Sequence, residues 1–124
     1  MSKKSKDELA VVAVIEQYVQ SYINADIVAL RDVFAPDAGM SGYVGDRLVE
    51  GTPEPFIQQV ASKPPLASSG LDLNYTIEHI SITHSAASVV VREIGFGPYN
   101  FTDYMHLLKR DGVWKIISKT FTTF

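Results

Sequence analysis

Apolar residues recur at spacings of three and four over residues 7–24, where Leu9, Val12, Ile15, Val19, Tyr22 and Ile23 fall on one stripe. Val11, Val14 and Tyr18 widen that stripe, so this long helix is expected to be covered on much of its girth. Asp7 suits its N-terminal end, where a carboxylate meets free N–H groups and the positive end of the dipole. Asn24-Ala25-Asp26 breaks the pattern. A short second helix is expected over 27–34, capped by Asp26 and ended by Pro36. Residues 37–52 carry Gly39, Gly42, Gly45 and Gly51 with Asp37 and Asp46, which reads as loop with one short strand at 38–44. Pro53 and Pro55 fit the first turn of a third helix that runs to Ser62 and turns Phe56, Ile57 and Val60 inward. Lys63-Pro64-Pro65 stops it, and 64–70 is expected to be loop.

Past Leu73 the period changes from helical to alternating. Strands are expected at 75–83, 86–96, 99–109 and 113–123, with breaks at His84-Ser85, Gly97-Pro98 and Asp111-Gly112. Helices first and a four-stranded antiparallel meander after make an α+β domain, with the helices packed on one sheet face. Asp111-Gly112 is a strong hairpin signal, because a type I′ turn needs positive φ at both central residues. With those two as the turn, Arg110 faces Val113, and regular counting sets Leu107 against Ile116, Met105 against Ser118 and Asp103 against Thr120. One face of the hairpin then reads Phe101, Asp103, Met105, Leu107, Trp114, Ile116, Ser118 and Thr120. A carboxylate, Asp103, stands within that largely apolar face.

Register across Gly97-Pro98 decides what joins it. One pairing puts Arg92 opposite Met105, beside Asp103, with His79 on the same face. The other puts Glu93 opposite Met105 and sends Arg92 and His79 outward. A slip of one residue flips every side chain.

The chain has 124 residues, the size of one domain over 1–124, with residues 1–6 expected as a solvated tail. Eleven basic against 14 acidic residues leave a net charge of −3, which argues against nonspecific nucleic-acid binding. With no cysteine, disulfides, thiolate nucleophiles and Cys-ligated metals are excluded. His79, His84 and His106 show no metal-ligand spacing, so neither a metal nor a cofactor is expected. No apolar run is long enough to span a bilayer and no signal peptide is read, which suggests a cytoplasmic protein without membrane partners.

Asp103 is the first candidate for chemistry. Burial in an apolar face disfavours its charged form, which is how a general base is made. It is equally the kind of carboxylate that a hydroxyl or backbone N–H holds for structural reasons. Tyr18 and Tyr22 lie one helical turn apart. With Phe34, Met40, Tyr43, Phe56, Met105 and Trp114 they could line an aromatic pocket, with Arg92 joining on the first register. A tyrosine hydroxyl, that of Tyr18 in particular, would orient a polar group or act as the acid. Ordinary core packing is the competing role for each of these rings.

Tyr18 and Tyr22, Leu30 with Val33-Phe34-Ala35-Pro36-Asp37-Ala38, Gly51 with Phe56, Thr102-Asp103-Tyr104, and Leu107-Leu108-Lys109 through Asp111-Gly112 to Trp114-Lys115-Ile116-Ile117 and Lys119 together resemble the nuclear transport factor 2-like superfamily. The resemblance covers nearly the whole chain and is nearest to the lumazine-binding branch. It implies a cystatin-like cone: a curved antiparallel sheet wrapped around a long N-terminal helix. It also implies a pocket between the concave face and the helices, and a homodimer through the outer sheet face. Ketosteroid isomerases and polyketide cyclases of the superfamily use pocket carboxylates, and other members only bind. Three functions stay open on this reading. The first is a pocket protein that binds a small, largely apolar or aromatic ligand. The second is a cofactor-independent lyase or isomerase with Asp103 as base. The third is a protein-interaction module that uses the sheet.

Overall fold

The computed structural model describes residues 5–124. Helix α1, Lys6–Asn24, opens on Ser5, whose side chain accepts the Glu8 backbone N–H at 3.0 Å. Ser5 and Lys6 therefore belong to the helix and its cap, while the rest of the expected tail, residues 1–4, lies outside the described residues. Asp7 sits within the first turn, and its carboxylate accepts from Trp114 Nε1 at 3.1 Å and from Lys109 Nζ at 2.9 Å. The helix stops at Ala25, which takes φ 54° and donates its N–H to the carbonyls of Ser21 and Tyr22.

Helix α2, Ile27–Asp32, is capped by Asp26 as expected, through a 3.3 Å bond from Ala29 N–H. It ends two residues early, because Phe34 already belongs to strand β1, Phe34–Val44. Pro36 does not merely end a helix; it sits inside this strand. The strand tolerates it because pairing to its neighbour is interrupted between Phe34 and Gly39. A further strand, β2 (Arg47–Gly51), pairs with β1 across a Gly45-Asp46 turn, where loop had been expected. Helix α3, Glu54–Ala61, begins at Pro53, and a single 3₁₀ turn at Leu66–Ser68 follows it.

Strands β3 (Asn74–Thr83), β4 (Ala86–Phe96), β5 (Tyr99–Arg110) and β6 (Val113–Thr123) form the meander. The sheet has six strands in the order β2-β1-β6-β5-β4-β3, with β1 parallel to β6 and every other pairing antiparallel. One face of the sheet wraps α1. Val11, Ile15, Tyr18 and Val19 of the helix pack on Val89, Val91, Met105, Leu107, Trp114 and Ile116, and all of these are buried. No described helix is long and apolar enough to cross a membrane.

Two register details position the site. The Asp111-Gly112 turn has φ 52° and 79°, and Arg110 faces Val113 as counted. Regular pairing runs only to Leu107 and Ile116. A bulge at Ile117 then sets His106 against Ser118, Met105 against Lys119 and Asp103 against Phe121. Lys119 and Phe121 face inward in place of Ser118 and Thr120. Across the β4–β5 turn, Val89 faces Met105, Val91 faces Asp103 and Glu93 faces Phe101. Neither expected pairing of Met105 occurs, because an irregularity between Glu93 and Phe96 shortens the offset. In direction the strand follows the second alternative. Glu93 is buried inside, while Arg92 and His79 are exposed outside.

Candidate functional site

At one end of the cone the concave face does not close on α1. A cavity of about 980 Å³ opens there between the sheet, α3, the Lys63–Leu66 segment and the β4–β5 turn. Its walls are mostly apolar, with aromatic rings from several elements. Tyr22 comes from α1, Phe56 from α3, and Phe96, Phe101 and Phe121 from β4, β5 and β6. Phe121 can lie flat against β1 because Gly42 is opposite it; a β-carbon at Gly42 would fall 2.6 Å from the Phe121 ring.

Three ionisable side chains form its floor: Glu93, Asp103 and Lys119. The register makes them a diagonal across three strands, since Glu93 and Lys119 stand two residues to either side of the positions directly opposite Asp103. Diagonal neighbours on one sheet face are within reach of long side chains. Glu93 is 1%, Asp103 0% and Lys119 4% exposed, so none of the charges is solvated in the ordinary way. Asp103 borders the cavity yet exposes no surface, which places it at the base.

Burial holds the Glu93 carboxyl well above the usual carboxylate range, and the negative charge of Asp103 and a hydrogen bond between the two carboxyls push it the same way. The Lys119 cation pulls in the opposite direction. Glu93 Oε2 and Asp103 Oδ1 are buried without a donor among the described residues. The raised Glu93 carboxyl keeps its own proton, which gives that side chain a donor inside the enclosure. Keeping Glu93 neutral avoids burying a second bare carboxylate in an apolar enclosure.

Tyr18 lies beneath this set. Its hydroxyl points at Asp103 Oδ2 over a long 3.5 Å, and Lys119 Nζ sits 5.0 Å above its ring. Burial raises the Tyr18 phenol well above its ordinary value, and the charges of Asp103 and Glu93 add to the shift, so Tyr18 acts as a neutral donor. The same three causes raise Tyr22, with burial again the largest. Lys119 is further bracketed by Phe56 at 4.3 Å and Phe121 at 5.0 Å, a cation held by ring faces on three sides.

Of the residues singled out in the sequence, Asp103, Tyr22, Met40 and Phe56 border the cavity, and Tyr18 supports its floor. Phe34 packs edge-on behind Tyr18 at 6.1 Å, and Met105 is core. Trp114 is at the opposite end of the cone, bonded to Asp7. Tyr43 is 47% exposed on the outer side of β1. Arg92 is on the outer face, paired with Glu78 at 3.2 Å and stacked 5.0 Å from the Phe124 ring. Glu93, Lys119 and Phe121 were not among the site candidates. A signal for the last two exists: the apolar phase set by Trp114 and Ile116 reappears at Phe121 shifted by one.

Residues 6–122 match the family model described as "Putative lumazine-binding". The chain belongs to this family. Within its fold, the chain is similar to a nuclear transport factor 2-like protein from Methylobacillus flagellatus, with 26% identity, a TM-score of 0.85 and coverage of 98% of this chain and 96% of that one. A nuclear transport factor 2-like protein from Shewanella baltica superposes with a TM-score of 0.83 at 23% identity, over 100% of this chain and 98% of the other. Cystatin-like folds from Nostoc punctiforme also superpose, which agrees with the cone expected from the resemblance. Among curated proteins, the aldolase FrzH of a Cladobotryum species is 26% identical over 117 residues, 93% of this chain and 90% of that protein. In this member of the family the cavity is floored by an acid pair and a buried lysine.

Proposed function

We propose that this chain binds a small, largely apolar, ring-containing carbonyl compound and moves a proton on it without a cofactor, within the lyase and isomerase class. The observation that carries this reading is the Glu93–Asp103 pair. Two buried carboxyls, one of them held well above the usual carboxylate range by burial, stand at the base of a largely apolar cavity beside a buried lysine. Environments that push two acids apart make one a proton holder and the other a proton acceptor. Asp103 takes the proton from the carbon next to the carbonyl, Glu93 keeps its own proton, and Tyr18 keeps Asp103 oriented. The negative charge that develops on the carbonyl oxygen faces Lys119. The likeness to an aldolase supports this class, since aldol chemistry begins with the same proton removal.

Binding without chemistry is the second reading. It is favoured by the full burial of Asp103, which borders the cavity but exposes no surface to a ligand. One experiment separates the two. The protein is mixed with β-tetralone in heavy water, and NMR follows both ligand contact and exchange of the protons beside the carbonyl. Exchange above the buffer rate that disappears in Asp103→Asn supports proton transfer. Contact with no added exchange leaves a binding protein, and absence of contact removes the carbonyl reading altogether.

A further inference from the structure

The buried lysine has more chemistry available than its charge alone. Lys109 and Lys115 are each tied to a carboxylate, at 2.9 and 3.0 Å, and Lys63 is exposed at the rim of the cavity. Lys119 differs from all of these. It is 4% exposed, lines the cavity, and among the described residues makes neither an ion pair nor a hydrogen bond. Three ring faces hold its Nζ, at 4.3, 5.0 and 5.0 Å, so the group is positioned without an oxygen acceptor bound to it. The strand bulge at Ile117 is what puts it there. On the diagonal beside it stands a carboxyl pair that can take up and return protons.

We infer that Lys119 is a nucleophilic amine that condenses with the carbonyl carbon of the bound ligand to form an imine. The inference rests on the carbonyl reading above and deepens it. The balance closes on groups already present. Asp103 accepts one ammonium proton, and the free amine attacks the carbonyl carbon. A carbon–nitrogen bond forms as the carbonyl π bond opens onto oxygen. The carboxyl pair relays protons to that oxygen, which leaves as water with two of the three original ammonium protons. The third stays on the iminium nitrogen, and the pair ends with the protons it began with. No oxidant, reductant or metal is required. The iminium then draws electrons from the neighbouring C–H bond more strongly than the carbonyl did, which eases the proton removal assigned to Asp103.

The test incubates the full chain with β-tetralone and cyanoborohydride, then maps lysine adducts by peptide mass spectrometry. A nucleophilic Lys119 gives a reduced adduct on its own peptide, forming about tenfold faster than on Lys63, Lys109 or Lys115. The adduct is absent in Lys119→Arg, which keeps the charge and cannot form the imine, and in Lys119→Met. Because the decisive measurement is made on the wild-type chain, poor folding of either variant does not obscure it. β-Tetralone contact by NMR with no Lys119 adduct, or with adducts spread evenly over all lysines, overturns the inference and leaves proton transfer standing. No contact at all overturns both.

Discussion

Asp103 stands directly opposite Phe121, not Thr120, on the β5–β6 hairpin. The difference of one position comes from the bulge at Ile117, and it reverses which side chains of β6 face the cone. Without it, Ser118 and Thr120 would give Asp103 hydroxyl neighbours and an ordinary structural setting. With it, an ammonium group and a phenyl ring take their place. The character of the cavity floor is thus fixed by one unpaired residue in a strand.

The bulge makes lysine accessibility a direct measure of register. A bulky charged amine reagent should modify Lys63, Lys109 and Lys115 well before Lys119, because Lys119 is enclosed by Tyr18, Phe56 and Phe121. Time-resolved mass mapping reads the order. Equal labelling of Lys119 and Lys115 would mean that β6 alternates without interruption and that Lys119 points to solvent.

Glu93 should make the fold less stable as pH rises. Its carboxyl is raised in the native state, so the native chain keeps a proton that the unfolded chain releases above the ordinary value of 4.5. With more protons bound to the native state than to the unfolded one, stability is fully present below that value and falls as pH climbs toward the native one. One such proton corresponds to a slope of about 1.4 kcal/mol per pH unit within the window. Glu93→Gln mimics the protonated form and should flatten this part of the profile. Denaturant unfolding at a series of pH values gives both curves, and parallel profiles would rule out a retained proton.

Much of the fold was legible because local chemistry and burial agree. Asp26 caps α2, Asp111-Gly112 turns the last hairpin, and the apolar stripe of α1 meets the sheet. Misreadings arose where a local signal was overridden. Pro36 reads as a stop, yet a break in pairing lets β1 run through it. Arg47–Gly51 is largely exposed and has no apolar alternation, so only its backbone pairing with β1 makes it a strand. At the site, Asp103 was visible because apolar neighbours flank it on a regular strand. Glu93 and Lys119 were not, because charge alone suggests exposure and irregular pairing decides their direction. Arg92 is the converse: its charge and its neighbours suited a pocket, and the register turned it outward.

Lys119→Met separates the electrostatic role of the lysine from its bulk. Methionine fills a similar volume, and its sulfur makes favourable contacts with aromatic rings, so at acidic pH the variant should stay within about 1 kcal/mol of wild type. As pH rises the two profiles diverge. Lys119 lowers the Glu93 carboxyl, and without it the pair should hold its proton to still higher pH. The fall in stability should therefore extend further into the alkaline range in Lys119→Met than in wild type. Coincident profiles would show that the lysine and the acid pair do not interact.

Gly42 tests the tightest contact in the cavity wall. A β-carbon there would lie 2.0 Å from the Phe121 carbonyl oxygen and 2.6 Å from its ring. The oxygen belongs to a paired backbone, so the clash cannot be relieved by turning a side chain; β1 and β6 must separate or Phe121 must leave the wall. Gly42→Ala should cost about 2–4 kcal/mol. Gly39, on the same strand, is the control. A β-carbon at that position meets nothing nearer than the Gly51 carbonyl oxygen at 3.9 Å, and Gly39→Ala should stay within about 0.5 kcal/mol of wild type. Denaturant unfolding of the two variants side by side decides the matter. Equal stability would mean that Phe121 does not press on β1, and that the wall of the cavity is formed some other way.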